Sequence, residues 1–360
     1  MTISSESISP TELRHWMHQN PELSQQEHRI TQLLEQEIRK ISDLLIILKP
    51  LPTGLVVIYP GQTKDFFLVR ADIDALPLKD GIIHACGHDL HTAILYSVIQ
   101  QIVRCKSSQS CIFLFQPAEE SGGGAKQILD SGVLEGHSIS KAMSLHVTDE
   151  YPLGTIAVKS GSLFSASCEI DIEWQGKESH ITRPDQGVDA LKSLEKFLAW
   201  IRANPSPDIL MGVGKVEAGT LRNIIPGNAL LQGTIRADNS DRIDCFLQQI
   251  SQVLDSQQRM GGATYGVKLG TRYPEVRNDS ILVAEFTEKV ASIISVIPCE
   301  LKQTAEDFGY FTNLYPSLMF WLGTGIANRP PVCLHHRDFH PNDSVIDLGT
   351  SIWMKLLGGD

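Results

Sequence analysis

Residues 84–91 read His-Ala-Cys-Gly-His-Asp-Leu-His, placing three imidazoles, a thiol and a carboxylate within eight positions. Cys86 and His88 stand two apart across Gly87, so a thiolate and an imidazole can converge on one ion or on two. Thiolate, imidazole and carboxylate together suit zinc or a similar divalent metal. A Cys–His nucleophile pair is the competing chemistry, but it leaves the acidic and histidine residues found elsewhere without work. His84 and His88 are spaced like the outer pair of H-E-x-x-H. The residues between them are Ala-Cys-Gly, so the glutamate base of that motif is missing and a zincin is excluded.

Other polar residues follow apolar runs. Asp72 and Asp74 come after Phe66–Val69, Glu119-Glu120 after Cys111–Phe115, and His146 after Ala142–Leu145. A histidine closing a strand is ordinarily a capped or core residue, and paired glutamates are ordinarily a solvated face. Glu119-Glu120 differ because Pro117 precedes them and Ser121-Gly122-Gly123-Gly124 follows, which reads as a mobile loop holding two carboxylates beside a buried strand. The glycines are not followed by the lysine and hydroxyl residue of a phosphate-binding loop. His335, in Leu334-His335-His336-Arg337, is a further candidate.

The elements around these residues alternate. Ser9-Pro10-Thr11-Glu12 and Ser24-Gln25-Gln26-Glu27 have capping-box spacing and predict two helix starts. Leu55–Tyr59, Phe66–Val69, Cys111–Phe115 and Ala142–Leu145 read as strands, and 88–103 and 126–134 as helices. Strand and helix in alternation imply an α/β layer with a mostly parallel sheet. In such sheets ligands collect beyond the carboxyl ends of the strands, so the polar spots should face one crevice. Near residue 162 the pattern changes. Cys168–Trp174 alternates strictly; helices at 188–203 and 241–258 and strands at 210–216, 229–237 and 263–268 follow. That β-α-β-β-α-β order is ferredoxin-like. The expected organisation is a catalytic domain of residues 1–161 and 271–360 with an inserted α+β domain at 162–270. A helix at 281–295 reopens the first domain.

The 360 residues exceed one ordinary core, in keeping with two domains. A net charge of −11 without any basic run argues against nucleic acid and anionic membrane surfaces. The polar start MTISSESISP has no secretory-signal pattern, and no apolar stretch approaches a membrane span. Seven cysteines without a C-x-x-C pair read as thiols of a reducing, cytoplasmic compartment.

The stretches HACGHDLHTA, QPAEESGGGA, LHV around His146, GKESH, AGTLRNIIPGNALLQGTIR and AEDFGYF resemble the M20 metallopeptidase/amidohydrolase family, in its N-acyl-amino-acid amidohydrolase branch with a cysteine metal ligand. HQNPELSQQEHRIT fits as well, so the resemblance runs over residues 11–345. It implies two divalent ions (zinc, manganese, nickel or cobalt) bound by Cys86, His88, Glu120, His146 and His335. Glu119 would be general base and acid, and Asp72 would orient a metal-binding side chain. His180 would steady the developing oxyanion, and Asn223 and Arg236 would hold the substrate carboxylate or line an interface. It further implies hydrolysis of N-acetyl or aromatic-acyl amino acids, with N-acetyl-diaminopimelate and dipeptides as alternative substrates, and a homodimer formed through the smaller domain. A non-catalytic metal-binding homologue is the reading from another class.

Three features depart from the family pattern. Only six residues separate Pro77 from His84, where relatives usually carry a longer loop. His336-Arg337 replaces a small residue and proline, which makes His336 a competitor of His335. Glu178-Ser179 precedes His180 in place of smaller residues. His91 is expected to hydrogen-bond a neighbour, His137 and His340 to lie on the surface, and Glu306-Asp307 to support the site without entering the chemistry.

Overall fold

The computed structural model describes residues 7–79 and 81–358. Most of the polar start MTISSESISP and one position of the shortened loop before His84 therefore lie outside the described residues. The chain divides into two compact units: Met1–Leu163, Val276–Glu300 and Asp307–Asp360 form one, Phe164–Glu275 and Leu301–Glu306 the other.

The first unit is built on runs of apolar residues long enough to bury both faces of a strand. Leu55–Tyr59 and Ser110–Gln116 are buried throughout, and Phe66–Asp72 nearly so. They belong to an eight-stranded sheet ordered Ile46–Leu48, Leu55–Tyr59, Ser110–Gln116, Phe66–Asp72, Ile139–Pro152, Ser317–Gly325, Thr155–Val158, Ser295–Pro298. The consecutive pairs from Ser110–Gln116 to Ser317–Gly325 are parallel. Antiparallel pairing is confined to the Leu55–Tyr59 side and to the Ser317–Gly325/Thr155–Val158 pair. Helix His88–Cys105 links the parallel neighbours Phe66–Asp72 and Ser110–Gln116, the crossover that parallel pairing requires. It packs with Pro10–Gln19 and Ser344–Leu356, and Leu90, Ile94, Val98, Phe67, Phe113 and Trp353 belong to one buried cluster.

Register brings the polar residues level. Asp72 pairs with Gln116, and Arg70 with Ser144, so Asp72, the Glu119-Glu120 loop and His146 meet at the same end of the sheet. That is the carboxyl end of the parallel strands, where α/β sheets gather ligands.

The second unit has the expected ferredoxin-like order. Strands Ala166–Gln175, Ile209–Ala218, Asn228–Ala237 and Thr264–Tyr273 form an antiparallel sheet in which Ala166–Gln175 and Asn228–Ala237 are central. Helices Ala190–Ala203 and Ser240–Arg259 supply Leu194, Phe197, Ile250 and Leu254 against Cys168, Ile170, Ile172 and Trp174, the inward half of the alternation seen in the sequence.

Four local expectations are corrected. His146 does not end a strand; the strand runs on to Pro152 because Ser317–Gly325 pairs with it past that point. The helix expected at 281–295 stops at Val290, and Ser295–Pro298 is a strand on the sheet edge. The helix after the glycine run is the short Gly124–Asp130. Of the two capping boxes, Ser9/Glu12 forms with both reciprocal hydrogen bonds, whereas Ser24/Glu27 does not form.

Candidate metal centre

Gly87 sets the geometry between Cys86 and His88. Its φ of +82° is in the left-handed region, and a Cβ there would lie 2.4 Å from Val147 Cγ2. Glycine alone combines that backbone with that approach, and it starts helix His88–Cys105 so that Cys86 and His88 turn the same way. The potential ligand atoms of Cys86, His88 and His146 lie within 4.8 Å of one another. So do those of Cys86, Glu120 and His335, and those of His88, Glu119 and Glu120. The groups share members, and so the five ligand candidates and Glu119 form one cluster. Cys86, His88, Glu119 and His146 are buried, Glu120 is partly buried and His335 is exposed.

His88 Nδ1 lies 2.9 Å from the Asp74 carbonyl oxygen and donates to it, which leaves Nε2 facing the cluster. That Nε2 is 3.9 Å from Glu120 Oε1; both atoms are buried and neither has a hydrogen-bond partner. Buried polar atoms without partners are costly, and two acceptors facing one gap suit a cation between them. His146 Nδ1 donates to the Val147 carbonyl at 2.8 Å, freeing its Nε2 as an acceptor. His335 Nε2 lies 3.6 Å from Glu120 Oε2. His336 turns to Asp338, whose backbone N–H it accepts at 3.2 Å.

Electrostatics point the same way. Burial, then the Glu120 and Glu119 carboxylates, push the Cys86 thiol well above its ordinary pKa. Burial alone would lower the His88 pKa, but Asp72, Asp74 and Glu120 raise it to about 10. Burial, then His91, holds His146 neutral, the form that binds metal. The cluster is thus carboxylate-rich and short of positive charge. A divalent cation relieves the carboxylates and turns the thiol into the thiolate that binds it.

Around the cluster is a buried frame. Asp72 Oδ1 accepts from His91 Nδ1 at 2.6 Å, and His91 Nε2 accepts the Val147 N–H at 3.0 Å, so both His91 nitrogens are engaged. Asp72 also takes Arg70 Nη1 at 2.7 Å. Arg70, fully buried, reaches Asp307 at 2.9 Å, and Asp307 accepts the Ala125 N–H at 2.9 Å. Asp307 also accepts from Gln116 Nε2 at 2.8 Å, so the glutamate loop is hydrogen-bonded to it at both ends. Its glycines serve close approach: a Cβ on Gly124 would lie 1.7 Å from the Pro117 carbonyl oxygen. His91 hydrogen-bonds its neighbours and Asp307 supports the site, as expected, whereas Arg70 and Asp74 had no role assigned from sequence. Asp74 had a signal, since it sits two residues from Asp72 and so on the same side of an extended chain.

The remaining candidates belong to the second unit. His180 and Asn223 lie together on a two-stranded ribbon: His180 pairs with Ile224, and the Ile181 N–H donates to the Asn223 carbonyl at 3.0 Å. His180 is exposed, with Nδ1 2.8 Å from Thr182 Oγ1. Arg236 is not with them. It lies at the far end of strand Asn228–Ala237, roughly 26 Å from Asn228 at the usual rise per residue. Arg236 lines a cavity of about 280 Å³ with Ser206, Asp208, Asp238 and Gln303, and its Nη1 is buried without a hydrogen-bond partner.

Among the described residues no helix is long and apolar enough to cross a membrane. The N-acetyldiaminopimelate deacetylase of Exiguobacterium sibiricum is 32% identical over 353 residues, covering 93% of this chain and 95% of that one. The enzyme of the same name from Geobacillus sp. strain WCH70 is 32% identical over 372 residues and 98% of each chain. The solved structure of the Bacillus subtilis YxeP protein, described as a dinuclear metal binding peptidase from the M20 family, superposes with a TM-score of 0.83. It is 26% identical and covers 97% of this chain and 96% of that one. The profile of Peptidase family M20/M25/M40 matches residues 68–358, so the chain belongs to that family.

Proposed function

We propose that this protein hydrolyses the amide bond of N-acyl amino acids, with N-acetyl-diaminopimelate as the substrate type that its named relatives favour. The hydrolase class follows from family membership; the substrate and the residue roles are our reading. The observation that carries it is the buried Glu119 beside a cluster in which a thiol, three imidazoles and the Glu120 carboxylate converge.

In this reading Cys86, His88, Glu120, His146 and His335 hold two divalent cations. Zinc suits the thiolate, and manganese, nickel or cobalt accept the same donor set. Such a pair supplies a more acidic water and a more electrophilic amide carbonyl. Glu119 takes the proton of the attacking water and delivers it to the departing nitrogen, a transfer typically worth 10²–10⁴-fold. Asp74, through its carbonyl, and Asp72, through His91, fix the imidazoles that face the cluster. His180 stabilises the negative charge on the carbonyl oxygen, and Arg236 and Asn223 bind the carboxylate end of the substrate.

The separation of Arg236, at the far end of strand Asn228–Ala237, from Asn223 on the His180 ribbon supports a homodimer in which the two act in different sites. Both edge strands of the second unit are largely exposed and carry Leu210, Val216, Val267 and Leu269 on the surface. Open edges of this kind invite pairing with a second copy.

Turnover of a metal-supplemented panel tests the reading. N-acetyl-diaminopimelate and N-acyl amino acids should be cleaved and free dipeptides should not. Glu119→Gln should bind metal normally and lose turnover by 10²-fold or more; unchanged turnover in that variant removes the base role.

A further inference from the structure

Ser24-Gln25-Gln26-Glu27 has the spacing of a helix capping box, yet Glu27, the N-cap of helix His28–Ile41, makes no capping hydrogen bond with its side chain. Both side chains are instead engaged around the Glu119 loop. Glu27 is fully buried, and its Oε1 accepts the N–H of Ala118 at 2.8 Å. Ser24 Oγ donates to Asp74 Oδ2 at 2.7 Å, and that same oxygen accepts the N–H of Glu120 at 3.0 Å. Ala118 and Glu120 flank Glu119. The two amides beside Glu119 are thus each held by a carboxylate from a distant segment, and Ser24 fixes one of those carboxylates.

Ala118 needs such a hold. Its φ of +58° lies in the left-handed region, disfavoured for a residue with a Cβ. That turn swings the chain out of strand Ser110–Gln116 and presents Glu119 and Glu120 in succession. The Ala118 carbonyl is fixed as well, accepting the Gly124 N–H at 3.0 Å.

We propose that Glu27, with Ser24 acting through Asp74, is a positioning residue for Glu119: it holds the peptide before the general base in its left-handed turn and so aims the carboxylate. The inference rests on the reading of Glu119 as the base. Glu27 touches no substrate and binds no metal; its effect falls on proton transfer, not on affinity.

Glu27→Leu removes the acceptor, while Glu27→Gln keeps an oxygen for the Ala118 N–H. We expect kcat of Glu27→Leu to fall 10- to 100-fold, the scale of a misplaced catalytic group. KM and the zinc bound per chain, read by chelator competition, should stay as in the parent. Glu27→Gln should restore kcat, Ser24→Ala should lower it in the same direction by less, and Glu27→Leu should add no loss in a Glu119→Gln background. Full kcat in Glu27→Leu, a loss that Glu27→Gln does not restore, or a loss explained by missing zinc would each overturn the proposal. Should Glu27→Leu fail to fold, the soluble pair decides: parental kcat in Ser24→Ala, or a depressed kcat in Glu27→Gln, overturns it. Parental turnover in Glu119→Gln strikes the functional reading beneath; a dead Glu119→Gln beside a fully active Glu27→Leu strikes only the positioning role.

Discussion

At the scale of the residue, the neighbouring histidines 335 and 336 differ by their partners and not by their type. His335 has φ +63°, and its N–H donates to the Ala85 carbonyl at 2.9 Å, which turns its ring toward Glu120 and Cys86. His336 faces Asp338. His335→Ala should lose bound metal and turnover together, whereas His336→Ala should keep both. Metal content by atomic emission, measured beside activity, checks this, and the opposite pattern would move the ligand to His336. The sequence alone left these two in competition, because adjacent residues differ only in direction and direction is set by the backbone.

Elements carry the site through a few tight approaches. The turn at Gly87 brings Cys86, His88 and the strand containing Val147 together with no room for a side chain. Gly87→Ala should therefore displace both ligand candidates and destabilise the fold by about 2 kcal/mol or more, since a left-handed backbone and a core overlap each cost on the order of 1–2 kcal/mol. Chemical denaturation and metal affinity should worsen together, and a variant that loses stability alone would separate the turn from the site. Periodicity foretold the elements themselves, with Phe66–Asp72, His88–Cys105 and Ala166–Gln175 close to their expected bounds. It missed the continuation of the strand past His146, because that length is imposed by pairing with Ser317–Gly325, more than 170 residues away.

For the whole molecule, the roles proposed for Arg236, Asn223 and His180 in one reaction have to be reconciled with strand Asn228–Ala237, which holds Arg236 at one end and the His180–Asn223 ribbon at the other. The proposed homodimer answers it by drawing them from different copies. Glu119→Gln and His180→Ala proteins, each inactive alone, should regain activity when mixed under conditions of subunit exchange, because one site of the mixed dimer is then intact. Activity that stays absent after verified exchange would place Glu119 and His180 in the same protomer. Sedimentation should give twice the chain mass.

By itself the sequence determined the chemistry available and its order along the chain. HACGHDLH, the paired glutamates, His146 and His335 lie among apolar runs whose lengths and periods predict an α/β unit and a ferredoxin-like unit. Local rules suffice there, because propensity, periodicity and a glycine between two donor residues act over a few positions. Only tertiary structure decided how the supporting residues are used. It spent the Ser24/Glu27 box on the Glu119 loop, closed both nitrogens of His91, set the buried Arg70 between Asp72 and Asp307, and parted Arg236 from Asn223. Those outcomes depend on which distant groups are buried together. A polar group excluded from water takes the partner that packing offers it, not the one its own segment would have supplied.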